Sequence, residues 1–181
     1  MPTDHLPEPW KSFLAELDKA GSGEVFLHCI GGFVITQMYG LSRPTIDIDA
    51  ITITPSDQRA VLLEQGGKGG PLHRKYGLYL DFVTVTALPQ DYGERLRVCP
   101  QHFSHLRLFA VDAYDLALSK LERNSEKDRE DVKHLARTLP FDLDFLRQRY
   151  EKELRFFLGN PQREDLTLKL WIETIEEERG A

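Results

Sequence analysis

Three aspartates are the side chains in this sequence best placed to do chemistry. Asp47 and Asp49 stand two residues apart, with Ile46, Ile48 and Ile51 around them, and Asp81 lies in the middle of a later apolar stretch, Leu78 to Thr86. Both stretches read as β-strands, and an aspartate inside a strand is uncommon. A strand has a side-chain period of two, so Asp47 and Asp49 project from one face. Like charges side by side on a β-branched strand are costly unless something positive sits between them, and a divalent cation is the simplest candidate. Three carboxylates on two neighbouring strands would hold two such ions, which can position an attacking hydroxyl and neutralise a triphosphate during an in-line displacement. Oxygen donors suit Mg²⁺ or Mn²⁺ better than zinc, and no Cys/His cluster competes.

The preceding residues fit the same chemistry. The apolar run Val25 to Ile30 reads as a buried strand and ends at Gly31-Gly32, a strand-to-helix turn before a short helix, Phe33 to Leu41. Glycines let a backbone approach phosphate closely, and the N–H groups at a helix start face anionic oxygens. Arg43, just before the aspartates, can grip a phosphate with two nitrogens. Each feature has a plainer reading by itself: a simple turn, a solvated edge or calcium site, a surface aspartate. Their order favours the joint one: strand, Gly-Gly, helix, Asp-x-Asp strand, helix, Asp strand. His28, alone among apolar neighbours, reads as packed. Lys68, His73, Arg74 and Lys75 cluster around Gly66, Gly67, Gly69, Gly70 and Pro71, which reads as a solvated flexible loop, with a mobile lid as the alternative.

The remaining elements must hold that array. Residues 1–8 carry two prolines and read as a loose arm; Trp10, Phe13, Leu14 and Leu17 mark one face of a helix over Trp10 to Ala20. Ser56 is an expected cap for a helix from Asp57 to Gln65 with Val61, Leu62 and Leu63 inward. A short strand is expected around Leu96 to Val98 and another over Leu106 to Val111, followed by helices from Asp112 to about Arg123, Ser125 to Leu139, Phe141 to Phe157 and about Arg163 to Glu178. On the last, Leu166, Leu170, Trp171 and Ile175 are expected inside. On the Ser125 helix, Asp128, Asp131, Val132 and Leu135 share a face, and Lys120 borders the apolar arc of Ala113, Ala117 and Leu121. A lysine and two aspartates turned inward need partners, so they form a buried salt bridge, serve catalysis, or both. The implied fold class is α+β: a mixed sheet flanked by helices over residues 1–111, then a helical segment, 112–181, packed on that core and completing the site.

Composition bounds the function. The 181 residues suffice for one core, with a small helical appendage as the alternative arrangement. Hydrophobic residues make up 41% and charged residues 29%, ordinary for a globular protein and against global disorder. A net charge of −6 disfavours a surface that attracts nucleic acid everywhere. No apolar run approaches a membrane span, no secretory signal is legible, and Cys29 and Cys99 read as two buried thiols, so a cytoplasmic protein is expected.

The segment Gly31-Gly32, a short helix, then Arg43-x-Thr45-x-Asp47-Ile48-Asp49 resembles the signature of the DNA polymerase β-like nucleotidyltransferases. The form is similar to the minimal bacterial branch that includes abortive-infection and type IV toxin–antitoxin members. Asp115 to Leu121 and Lys127 to Val132 resemble that branch's later lysine and aspartate motifs. The resemblance runs from about Val25 to Leu139. It implies metal ligation by Asp47, Asp49 and Asp81, catalytic assistance from Lys120 and Asp131, and nucleotide contacts from Gly31, Gly32, Arg43, Thr45 and Asp128. It implies an NTP substrate, Mg²⁺ or Mn²⁺, an acceptor that is an RNA end, a protein hydroxyl or a small molecule, and a cognate antitoxin as partner. Gly32 departs from the pattern, since many members carry a phosphate-gripping serine there. An inactive nucleotide-binding module is therefore the rival expectation, and a metal-stabilised structural domain a third.

Overall fold

The computed structural model describes residues 6–99 and 102–180. Five strands form one mixed sheet: β1 (Val25–Ile30), β2 (Asp47–Thr54), β3 (Tyr79–Phe82), β4 (Arg97–Val98) and β5 (Leu106–Ala110), in the order β3-β2-β1-β5-β4. β1 runs antiparallel to β2 and parallel to β5; β2 and β3 are parallel, and β4 and β5 antiparallel. Alternation fixes its faces. Leu27, Cys29, Ile48, Ala50, Leu80, Leu106, Leu108 and Ala110 are all buried. The residues between them on β2 and β3, Asp47, Asp49, Tyr79 and Asp81, are half-buried or exposed. A β-bulge shifts the register between His28 and Cys29, which lets Ile53 rather than Thr52 return to the core just past the aspartates.

Helices α1 (Trp10–Asp18), α2 (Gly31–Tyr39), α3 (Asp57–Gly66) and α4 (Pro71–Tyr76) accompany the sheet, with α2 packed on β1 and β2, and α3 on β2 and β3. The expected arm is in part an anchor: Leu6 is buried, while residues 1–5 lie outside the described residues. The glycine-rich segment is not a loop. Gly66 ends α3 so close to α1 that a Cβ would stand 2.7 Å from Leu17 Cδ1, Gly67 bridges to Leu80 of β3, and α4 follows at once. Ser56 caps nothing, because its own backbone is already helical (φ −66°, ψ −24°). Of the three residues expected inward on α3, only Leu62 is fully buried, and Val61 is exposed.

The chain divides into two compact units, residues 1–85 with 96–111, and 86–95 with 112–181. The second contains α5 (Ala113–Leu118), α6 (Glu126–Thr138), α7 (Leu143–Arg149) and α8 (Pro161–Gly180). Asp112 caps α5 by accepting from Asp115 N, as expected, and α6 starts in a reciprocal capping box between Ser125 and Asp128. α5 is shorter than expected, and tight turns follow it so that Lys120 and Leu121 are both buried. The expected helix from Phe141 to Phe157 is broken: after α7 comes a π-helical turn, Tyr150–Leu154, then a 3₁₀ turn, Arg155–Phe157. The wider turn lets neighbours Arg149 and Tyr150 both point inward. Arg149 Nη1 reaches Asp112 Oδ2 at 2.7 Å and Asp115 Oδ1 at 3.0 Å, and Arg95 pairs with both Asp115 and Glu153. These ion pairs hold segment 86–95 to the helical unit. On α8, Trp171 and Ile175 are buried as expected, whereas Leu166 and Leu170 are exposed. Among the described residues no helix is long and apolar enough to cross a membrane.

Asp18, at the end of α1, fastens the far end of the sheet. Its carboxylate accepts from the backbone N–H groups of Ser104 (3.0 Å), His105 (2.8 Å) and Leu106 (2.8 Å). Burial pushes this carboxyl up, but the three amides outweigh it and hold it below its ordinary value. A lowered carboxyl stabilises the fold above the unfolded value and loses that contribution as pH falls through the folded one. Asp18→Ala should therefore cost about 3 kcal/mol in urea unfolding at pH 7. The gap from wild type should close as the pH falls below about 4.

Candidate active site

The pairing of β2 with β3 brings the three aspartates to one face. Their register sets Asp47 against Tyr79, Ile48 against Leu80, Asp49 against Asp81 and Ala50 against Phe82. Residues in register on adjacent strands share a face, so Asp47, Asp49 and Asp81 line up on the side opposite the buried Ile48, Ala50 and Leu80. The carboxylates are aligned rather than gathered: among the described residues, no three His, Cys, Asp or Glu side chains form a cage for a metal ion. Three like charges spread apart unless a cation draws them in. The donors are of the type a hard cation takes: three carboxylates share a face, and Asp81 is exposed.

The glycine pair is built against these carboxylates. Gly31 has φ +75°, and a Cβ there would lie 2.0 Å from Asp49 Oδ2. A side chain would thus strain the backbone and collide with the carboxylate. Gly32 faces Thr45, with a would-be Cβ 3.1 Å from Thr45 Oγ1. That hydroxyl donates to Asp47 Oδ1 at 3.0 Å, so the motif's threonine orients its first aspartate. Arg43 sits half-buried in the connection between α2 and β2.

One participant was absent from the sequence reading. Tyr79 lies opposite Asp47 and donates to Asp47 Oδ2 at 3.4 Å. Its phenol is pushed up by burial and then by the charges of Asp47, Asp81 and Asp49. The signal was available, since Tyr79 stands two residues before Asp81 and shares its face. His73 packs edge-on to the Tyr79 ring at 5.2 Å, and Lys68 Nζ stands 5.6 Å above it. The other basic residues turn elsewhere: Arg74 donates to the Gly69 carbonyl and Lys75 pairs with Glu16. His28 packs against Phe109, and burial lowers its ring. Both thiols are free and buried; burial pushes both up, Cys99 to about 12.

The later motif forms its own cluster in the second unit. Lys120 Nζ lies 2.8 Å from Asp131 Oδ2 and 3.5 Å from Asp128 Oδ1, with all three side chains buried. Arg123 Nε donates to Asp128 Oδ2 at 2.8 Å, and Ser125 donates to the same oxygen. Burial raises Asp128, but Arg123 and Ser125 outweigh it and hold the carboxyl well below the usual range. Contacts of this kind make the buried salt bridge a structural fact.

A Gly-Gly turn, an Asp-x-Asp strand and a third aspartate in register on the next strand make up the arrangement that the resemblance implies. The profile of the family described as "nucleotidyltransferase of unknown function (DUF6036)" matches residues 12–179, and the chain belongs to that family. No curated protein and no solved structure gave a match.

Gly31→Ala should lower stability by about 1–3 kcal/mol, read by urea unfolding. Asp49→Asn removes one of three like charges, and its melting temperature in metal-free buffer should equal or exceed that of wild type, read by calorimetry.

Proposed function

We propose that this protein transfers a nucleoside monophosphate from an NTP to an acceptor hydroxyl, with Asp47, Asp49 and Asp81 as ligands for Mg²⁺ or Mn²⁺. The observation that carries this reading is the Asp49–Asp81 register, which puts three carboxylates on one face beside the Gly31 turn. When bound, the metal supplies charge neutralisation at the phosphates and lowers the barrier to in-line displacement. The chain's own residues do the rest. Gly31 and Gly32 let the triphosphate approach the backbone, and α2 presents its N–H groups. Arg43 contacts a phosphate oxygen. Asp81, the most open of the three carboxylates, takes the proton from the acceptor hydroxyl. The acceptor oxygen bonds to the α-phosphorus as the bond from that phosphorus to the bridging oxygen breaks, and pyrophosphate leaves with that oxygen. The likeness of Arg43 to Asp49 to toxin-type members supports an RNA or protein hydroxyl as acceptor and an antitoxin as partner.

A second reading, nucleotide binding without transfer, is favoured by Gly32. The hydroxyl nearest that position belongs to Thr45 and is engaged with Asp47. The two readings separate in a labelling experiment. The protein is incubated with each α-³²P-labelled NTP, Mn²⁺ and a cell extract. Wild type should place label on a macromolecular fraction, and Asp49→Ala should reduce the rate at least about 100-fold. NTP binding by calorimetry that needs neither metal nor Asp49, with no label transferred, would support the binding module.

A further inference from the structure

We propose that Tyr79 is a positioning residue, whose hydroxyl, together with that of Thr45, aims the Asp47 carboxylate at the metal. This rests on the metal-dependent reading above. Asp47 opens β2 directly after the irregular connection from α2, and its pairing with Tyr79 sets its face but not the plane of its carboxylate. Its two oxygens are instead taken one each: Oδ1 by Thr45 at 3.0 Å and Oδ2 by Tyr79 at 3.4 Å. Each carboxylate oxygen has two lone-pair sites, so one hydrogen bond apiece fixes the plane of the group and leaves donor capacity for a cation. Neither partner is charged, so neither neutralises the ligand, which is how hydrogen-bonded neighbours orient a metal ligand without competing with the metal.

Tyr79 is itself held. Its backbone N–H donates to the Ile46 carbonyl at 2.9 Å, which ties it to the residue before β2. His73 and Lys68 pack against its ring, and His73 Nδ1 in turn accepts from Gly69 N at 2.9 Å. The glycine-rich turn thus buttresses a tyrosine that buttresses a ligand.

The test is Mn²⁺ binding, followed by the electron paramagnetic resonance of the free ion, with and without a non-hydrolysable NTP analogue. Wild type, Tyr79→Phe, Thr45→Val and Asp49→Asn are compared, and each is melted in metal-free buffer. Tyr79→Phe keeps the ring and its packing and removes only the hydroxyl. It should bind Mn²⁺ about 10-fold more weakly, with the metal-free melting temperature of wild type, and Thr45→Val should act in the same direction. Wild-type Mn²⁺ affinity in Tyr79→Phe, with Asp49→Asn impaired, would overturn the positioning role alone. A fall in metal-free melting of Tyr79→Phe large enough to account for its weaker binding would also overturn it, by making the hydroxyl structural. Absence of Mn²⁺ binding by wild type would overturn the metal reading itself, and this inference with it.

Discussion

Everything in the site depends on the parallel pairing of β2 with β3, which sets Asp49 beside Asp81. Taken alone that contact is unfavourable, because like charges directly opposite each other in a sheet repel. The fold imposes it from the other side of the sheet. Ile48, Ala50 and Leu80 are buried, and a slip of one residue would drive the aspartates into the core and expose these three. Burial of apolar surface is therefore the force that holds the carboxylates in line. Under the proposed function, a divalent cation on that face would offset their mutual repulsion.

The surrounding devices make sense against that constraint. Gly31 is required because Asp49 occupies the space a side chain would fill. Thr45 and Tyr79 take one oxygen each of Asp47 without neutralising it. The turn at Gly66 and Gly67 packs against α1 and bridges to β3, fixing the strand that carries Tyr79 and Asp81. The helical unit handles charge in the opposite way. There Lys120, Arg123, Asp128 and Asp131 compensate one another, as do Arg95, Arg149, Asp112, Asp115 and Glu153. A buried charge with a partner specifies an arrangement, and in the proposed function the carboxylates on the sheet serve a ligand instead.

Much of this was legible in the sequence, and the failures have physical causes. The apolar run from Val25 and the Asp-x-Asp stretch locate β1 and β2, and Asp112 marks the start of α5. The inward face of α6 points Asp128 and Asp131 toward Lys120, and the lysine lies 3.5 Å from the first and 2.8 Å from the second. The glycine-rich segment misled because glycine signals both looseness and close approach, and here three of the four glycines meet packed atoms at once. The π turn at Tyr150 has no local signature; it answers to the burial of Arg149 among acidic partners far away in the chain. Leu166 and Leu170 look like core residues, yet Trp171, Ile172 and Ile175 decide which side of α8 is covered. Tyr79 stands two residues before Asp81 on the same face, but only the register of β3 with β2 sets it against Asp47. The family profile, spanning residues 12–179, supports a nucleotidyltransferase and leaves the reaction to chemistry.

The most direct test of the central claim is a crystal structure with Mn²⁺ and a non-hydrolysable NTP, with the metal located by its anomalous scattering. The account predicts manganese on the exposed face of β2 and β3, coordinated by Asp47, Asp49 and Asp81 together, with the triphosphate over Gly31 and Gly32. Manganese bound elsewhere, or bound there with Asp81 turned away, would contradict it.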